Sequence, residues 1–291
     1  MTSQASYVLV TAAYNEAEYI EKTLRAVIAQ TVQPEKWIVV SDGSTDGTDE
    51  IVRGYAAEHA FIELLRRESS DSGFASQANA LTLGCEHLSN VNYGFIGSLD
   101  ADITFEPDYY EAMLRKFQEQ PSLGIAGGTI FERRADALKP LVCDRNSVPG
   151  AIQLFRREAF TDIGGFLSLR HGGHDAVAET MARMHGWQVR TFPDVQVLHG
   201  RPCGASYGNA PRIYFHLGLR EYACGNHPLF QLVKCLYRLK QRPYVLGSVS
   251  RWLGYCWAGL RHEPRNVPAD VRGYLRREQL HRLCPTSLMR R

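Results

Sequence analysis

Over its first 130 residues the chain switches repeatedly between two hydrophobic periods. That alternation restricts its fold more than any other feature. Tyr7 to Ala13 is an apolar, β-rich run. Glu16 to Gln30 then places Ile20, Leu24, Val27 and Ile28 on one helical face. Trp37 to Ser41 is a second strand, closed by the turn-forming DGSTDGT, and helical spacing returns at Ile51, Val52 and Tyr55. Ile62 to Leu65 is a third strand. Phe74 to Leu88 reads as a helix with Phe74, Ala78, Leu81 and Cys85 in line, and Tyr93 to Leu99 as a strand ended by Asp-Ala-Asp. Pro107 can start the next helix, which buries Tyr110, Leu114 and Phe117, and Gly124 to Phe131 returns as a strand. Such alternation predicts an α/β fold, a Rossmann-like, mostly parallel sheet flanked by helices. Ligands of these sheets bind at the carboxyl ends of the strands. Tyr14-Asn15-Glu16, Ser41-Asp42-Gly43 and Asp100-Ala101-Asp102 all follow predicted strands, so they are expected to converge.

From Glu132 to Gly150 the pattern fades, and a mobile loop is expected there. Ala151 to Arg157 resumes as a strand, followed by the glycine turns IGGF and GGHD. Asp175 to His185 reads as a helix, and Val195 to Leu198 as a short strand leading into His199. After Arg201 the chain becomes helical, basic and aromatic. At 291 residues, 44% hydrophobic and 22% charged, it is no disordered, collagen-like or disulfide-stapled chain. Its seven cysteines are odd in number and lack a C-x-x-C pair, which points to a reducing cytosolic compartment. The N-terminal MTSQASYVLV lacks the basic-then-apolar order of a signal peptide.

Two paired features suggest chemistry. Asp100 and Asp102 share a face on an extended backbone, and hard oxygen ligands so placed suit Mg²⁺ or Mn²⁺. A polar turn capped by Asp102 is the ordinary alternative. Asp42 can accept hydrogen bonds from a base or ribose, or close an Asx-turn, while capping accounts for Thr45, Asp46 and Thr48. A calcium loop from Asp42 fails at its twelfth position, Arg53, and a dinucleotide fingerprint fails because TAAYNEAEY follows the first strand. HGGHD lacks zinc spacing, so His171 and His174 read as loop histidines.

The order strand–AYNE–helix–strand–SDGSTDGT, then GFASQANA, then a strand ending in LDAD, resembles the family 2 inverting glycosyltransferases of GT-A fold. The likeness covers roughly residues 6 to 200. GAIQLFRREAFTDIGGF, GGHDAVAETMARMHGW and VQVLHGR are similar to the family's acceptor half. The resemblance implies a nucleoside-diphosphate sugar donor, a glycan or lipid-linked acceptor and a divalent metal. It implies that Asp42 contacts the base with Tyr14 beside it, that Asp100 and Asp102 contact ribose and metal, and that His199 is a further metal ligand. Glu16 and Asn79 join the candidate donor contacts. Asp175 is implied as the catalytic base, with an N-cap as its ordinary role and Glu179, one turn on, as the rival base. Departures from the family pattern are Ala12, Ser41, Ala78 and His174. Gln153-Leu-Phe-Arg156-Arg157 superficially resembles the Q-x-x-R-W box of processive synthases, but it precedes Asp175 and lacks the Trp. Those arginines therefore read as structural or acceptor-contacting, and the enzyme as non-processive.

From Gly200 onward there are 16 basic and 4 acidic residues, against 17 and 27 before it. A chain so divided keeps a basic surface for an anionic partner. The run Tyr244 to Leu260, with Arg251 near its middle, is short for a spanning helix, so an interfacial helix on anionic membrane is one reading. Helices packed on the catalytic part, with solvated arginines, are the other. No nucleic-acid module is visible. The expected organisation is a GT-A catalytic domain over 1–204, with a nucleotide-sugar half at 1–130 and an acceptor half at 131–204, and a basic helical region over 205–291. The expected location is cytoplasmic, with peripheral attachment to the inner membrane face as a variant. A catalytically inactive nucleotide-sugar or glycan-binding module, or a nucleotidyltransferase, is the alternative function. The second would normally carry a Gly-rich phosphate loop after the first strand.

Overall fold

The structure is a computed structural model that describes residues 6–68, 74–134, 137–141, 144–201, 210–241 and 243–284. The chain forms two compact units. The first takes Met1–Ser168 and Met181–Pro202, the second Leu169–Thr180 and Cys203–Arg291. The second unit therefore includes a segment from the middle of the chain together with the tail.

The first unit is built on one nine-stranded sheet. Its strands are β1 (Tyr7–Ala13), β2 (Lys36–Asp42), β3 (Ile62–Arg67), β4 (Phe95–Leu99), β5 (Ile103–Phe105), β6 (Leu123–Arg134), β7 (Ala137–Pro140), β8 (Ile152–Arg156) and β9 (Gln188–His199). The order is β3-β2-β1-β4-β8-β6-β9-β5, with β7 on β6. The first four strands run parallel, as do β6 and β9, while β8 enters antiparallel between β4 and β6. The α/β fold expected from the sequence is the one found.

Helices α1 (Ile20–Ile28), α2 (Thr48–Glu58), α3 (Phe74–His87), α4 (Tyr109–Glu119) and α5 (Arg157–Asp162) belong to this unit. Helices α1 and α4 turn apolar stripes inward, Ile20, Thr23, Leu24 and Val27 from the first and Tyr109, Tyr110, Met113, Leu114 and Phe117 from the second. Trp37, Tyr7, Phe117 and Phe155 are among the largest fully buried side chains. Helix α1 starts four residues later than its periodicity predicts, because Glu16 to Tyr19 form a turn whose carbonyl at Glu16 takes the N–H groups of Tyr19 and Ile20. The strand expected over Val195–Leu198 is really twelve residues long; Pro193 and Asp194 hide its first half, and the pairing with β6 shifts register there. Part of the expected mobile loop is a β6–β7 hairpin, Phe131 opposite Pro140 and Glu132 opposite Lys139. Residues 135–136 and 142–143 of that loop lie outside the described residues.

Helix α6 (His174–Met184) begins in the second unit, whose remaining helices are α7 (Ala210–Ala223), α8 (Pro228–Tyr237), α9 (Val245–Leu260) and α10 (Ala269–Leu283). Helices α7 and α9 meet at glycines, since a Cβ on Gly218 would overlap the Arg251 carbonyl and one on Gly254 the Phe215 carbonyl. Arg251, expected in an apolar run, is buried and paired with Glu221 of α7, which also takes Lys234 and Gln231. The cations hold the Glu221 carboxyl well below the usual range against its burial. Among the described residues no helix is long and apolar enough to cross a membrane.

Candidate active site

Three loops converge at the carboxyl ends of β1, β2 and β4. Asn15, with a φ of 53°, turns the chain out of β1 in the left-handed conformation that Asn tolerates. Its Oδ1 accepts the Thr45 N–H at 2.8 Å, and its own N–H donates to Ser44 Oγ at 3.1 Å. The Glu16 N–H donates to Thr48 Oγ1 and the Ala17 N–H to Asp46 Oδ2. Asp46 also accepts the Thr48 N–H in an Asx-turn and so laces the DGSTDGT loop to the first loop, while the N-cap of α2 is Gly47, which makes no side-chain cap where capping was expected. Tyr14 projects from the junction, 62% exposed.

Asp42 is buried. In the parallel pairing of β2 and β3 it lies opposite Arg67, whose Nε stands 3.2 Å from its Oδ1. Ser76 of α3 donates its hydroxyl to the other oxygen, and Arg67 Nη2 donates to that Ser76 Oγ at 3.1 Å. Helix α3 reaches Asp100 as well, through Gln77 Nε2 at 3.3 Å. Asn79 lies two residues beyond Gln77, half-buried on a different face of the helix. Ala78 is fully buried.

Asp102 is the centre of a charged cluster. Strand pairing explains its neighbours: Ile103 of β5 lies opposite His199 of β9, and His199 lies opposite Glu132 of β6. His199 Nε2 is 3.2 Å from Asp102 Oδ2, and its Nδ1 is 3.8 Å from Glu132 Oε1. Arg201 places Nε 2.9 Å from the same Asp102 oxygen, pairs with Glu16 through Nη2 and lies over the Tyr19 ring. Burial raises the Glu16 carboxyl above its ordinary range, and Arg201 only partly offsets this. Burial also works against the Arg201 charge, but Glu16, Asp102 and Asp100 outweigh it and strengthen its hold on the proton.

The donor set bears on metal binding. Two cis ligands of an octahedral ion at ~2.1 Å are roughly 3 Å apart, close to the spacing of Asp102 Oδ2 and His199 Nε2. No group of three His, Cys, Asp or Glu side chains surrounds one point among the described residues. A hard ion that keeps waters and takes phosphate oxygens needs only one or two carboxylates, so the residues fit such an ion completed by its substrate.

In the second unit, Asp175 stands in the first turn of α6, half-buried, beside the buried His174. Burial pushes the His174 imidazole down, toward the neutral form, with Arg220 adding to the effect and Asp175 opposing it. Glu179, the rival base, is only 3% exposed. His171 faces Glu263 at 3.6 Å, while His174, expected in a loop, is instead the first residue of α6. Gln153, Arg156 and Arg157 have structural partners. Gln153 donates to the Val148 carbonyl, Arg156 to those of Leu123 and Phe117, and Arg157 stacks over Tyr93. The cysteines at 85, 224, 235, 256 and 284 form no disulfides, while those at 143 and 203 lie outside the described residues.

Sequence reasoning missed Arg67, Ser76, Gln77, Glu132 and Arg201. Ser76 and Gln77 lie within the GFASQANA stretch and Arg201 two residues after His199, whereas Arg67 and Glu132 had no local signal.

The model of Glycosyl transferase family 2 matches residues 8–170. Poly-β-1,6-N-acetyl-D-glucosamine synthase of Staphylococcus aureus is 28% identical over 206 residues, covering 62% of this chain and 47% of that one. The synthase of the same name from Staphylococcus epidermidis is 27% identical over 204 residues, 62% of this chain and 45% of that one. The chain thus spans less than half the length of these relatives. Among solved structures, the mannosyltransferase PcManGT of Pyrobaculum calidifontis, in complex with GDP-Man and Mn²⁺, aligns with a TM-score of 0.58 at 18% identity. That alignment covers 97% of this chain and 82% of the other. S. aureus TarS 1-349 in complex with UDP-GlcNAc aligns with a TM-score of 0.52 at 13% identity, covering 93% and 78%. The shared fold is GT-A.

Proposed function

The chain belongs to glycosyl transferase family 2, and on that footing we propose that it moves one sugar from a nucleoside-diphosphate donor to an acceptor hydroxyl, with inversion. The observation that carries this reading is the convergence of Asp42, Asp100 and Asp102 at the strand ends, with His199 beside Asp102. Asp42, fixed by Arg67 and Ser76, receives the base, with the exposed Tyr14 beside it. Asp100 receives the ribose. Asp102, Asp100 and His199 would hold Mg²⁺ or Mn²⁺, which supplies positive charge to the departing diphosphate. Asp175 takes the proton from the acceptor hydroxyl as that oxygen attacks the anomeric carbon, and the diphosphate leaves from the opposite face. The names of the matched relatives support an acceptor of the polysaccharide-precursor class and make UDP-GlcNAc the first donor to try. A single transfer per encounter is part of the proposal, since Arg156 is committed to backbone carbonyls.

Thermal stabilisation of the chain by UDP-, GDP- and TDP-sugars with Mn²⁺ tests the donor site, because a ligand that binds only the native state raises apparent stability. One donor should shift the midpoint with metal, and Asp102→Ala should lose that shift while its unliganded fold persists. No shift from any donor, or an unchanged shift in Asp102→Ala, would overturn the reading. Metal-dependent donor hydrolysis separates an enzyme from an inactive binding module, and the anomeric configuration of the product tests inversion.

A further inference from the structure

Helix α9 has its polarity reversed for a helix in water. Its buried residues are Gly247, Ser248, Ser250, Arg251, Gly254, Tyr255 and Ala258. Its exposed large side chains are Val245, Leu246, Val249, Leu253, Trp257 and Leu260. From Leu246 onward these recur every three or four residues, so they form one stripe along the helix. Helix α8, packed on α9, repeats the arrangement, with buried Gln231 and Cys235 and exposed Leu229, Leu232, Val233 and Leu236. Soluble chains scatter exposed apolar side chains singly, and a continuous face is an interaction surface. The inward placement of small and polar groups is what close packing looks like when the outer face meets an apolar solvent.

We propose that the outer face of α8 and α9 lies in the interfacial layer of an anionic lipid membrane. This inference is independent of the sugar-transfer reading. Charge selects lipid over a second copy of the chain. From Pro228 to Leu260 there are five Lys or Arg residues and no Asp or Glu, so two copies joined through this face would bring like charges together. Lys234 and Arg251 are committed to Glu221. Lys240 is exposed at the junction of the two helices, and the exposed Arg261 follows α9 directly, over the Trp257 ring. Tyr237, Tyr244 and Trp257 are exposed at or near the helix ends, where amphipathic rings meet headgroups. The sixteen residues of α9 reach ~24 Å, short of a ~30 Å hydrocarbon core, so the helix lies along the surface.

Co-flotation of the full chain with vesicles tests this. Neutral phosphatidylcholine vesicles and vesicles containing phosphatidylglycerol are compared at low and high salt. The expected result is binding to both, stronger to the anionic ones, with salt removing that surplus and leaving the apolar part. Leu246→Asp/Leu253→Asp changes only exposed positions and should cut binding to both vesicles at least tenfold, with an unchanged thermal midpoint. Lys240→Ala/Arg261→Ala should lose only the anionic surplus. Absence of flotation at low salt overturns the proposal, as does unchanged flotation of the double aspartate variant. So does a wild-type dimer without lipid that Leu253→Asp makes monomeric, since the face is then a self-interface.

Discussion

Arg201 occupies the position at which a metal would need to compete. Its guanidinium neutralises Asp102 and Glu16 together, so a divalent ion must displace one favourable contact to make another. Arg201→Met should therefore tighten Mn²⁺ binding in the absence of donor by about tenfold, or ~1.4 kcal/mol. Electron paramagnetic resonance of free Mn²⁺ reads this directly, and weaker binding in the variant would show that Arg201 instead supports the ligands. For the proton acceptor, Asp175→Asn should leave donor affinity near wild type and slow transfer ~10²-fold or more. Glu179→Gln should not do so, because Glu179 is buried; the reverse pattern in steady-state rates would reassign the base. Asp42, Asp100, Asp102 and His199 were legible in the sequence because Asp42 and His199 end strands and Asp100 and Asp102 lie in the short turn after β4, and strand ends are where such sheets bind ligands. Arg67 and Glu132 reach the site through register between strands far apart in sequence, which no local pattern records, whereas Arg201 follows His199 by two residues.

At the scale of elements, the tail helices were legible but their orientation was not. The amphipathic rule sends apolar stripes inward, and Arg251 then reads as a solvated interruption. What reverses this is Glu221 on α7, thirty residues away, which gives the Arg251 guanidinium a buried partner. Removing one member of such a pair leaves the other charge uncompensated. Glu221→Gln should cost about 3–5 kcal/mol in denaturant unfolding. The folded pKa of Glu221 lies below its unfolded value, so its contribution is full above the unfolded value near ~4.3 and fades as pH falls below it. The stability gap between wild type and Glu221→Gln should accordingly narrow below about pH 4. A gap that stays constant as pH falls well below that value would mean the carboxylate's charge contributes nothing.

At the scale of the whole molecule, the chain does not divide at one point. The segment Leu169–Thr180, which carries Asp175, belongs with the tail, whereas the carboxylates Asp42, Asp100 and Asp102 belong to the other unit. Within its unit the segment is held closely. The Cys224 thiol meets the Gly172 carbonyl, His171 faces Glu263, and Gly173 has a φ of 95°. A Cβ on Gly173 would lie 2.8 Å from Cys224 Sγ and 3.3 Å from Arg220 Cδ. Gly173→Ala therefore meets two obstacles, a left-handed backbone costing ~1–2 kcal/mol and a side chain with no room. Both act two residues before Asp175, and neither touches the donor contacts. The expected outcome is a donor affinity within about twofold of wild type and a transfer rate lowered about tenfold or more, since small misplacements of a reacting group are costly. Adding Cys224→Ala opens the space but leaves the φ penalty, so it should restore part of the rate and not all of it. Donor titration and single-turnover transfer on wild type, Gly173→Ala and the double variant measure the two effects separately. Equal losses in donor affinity and rate would show that Gly173 supports the fold at large and not the placement of Asp175.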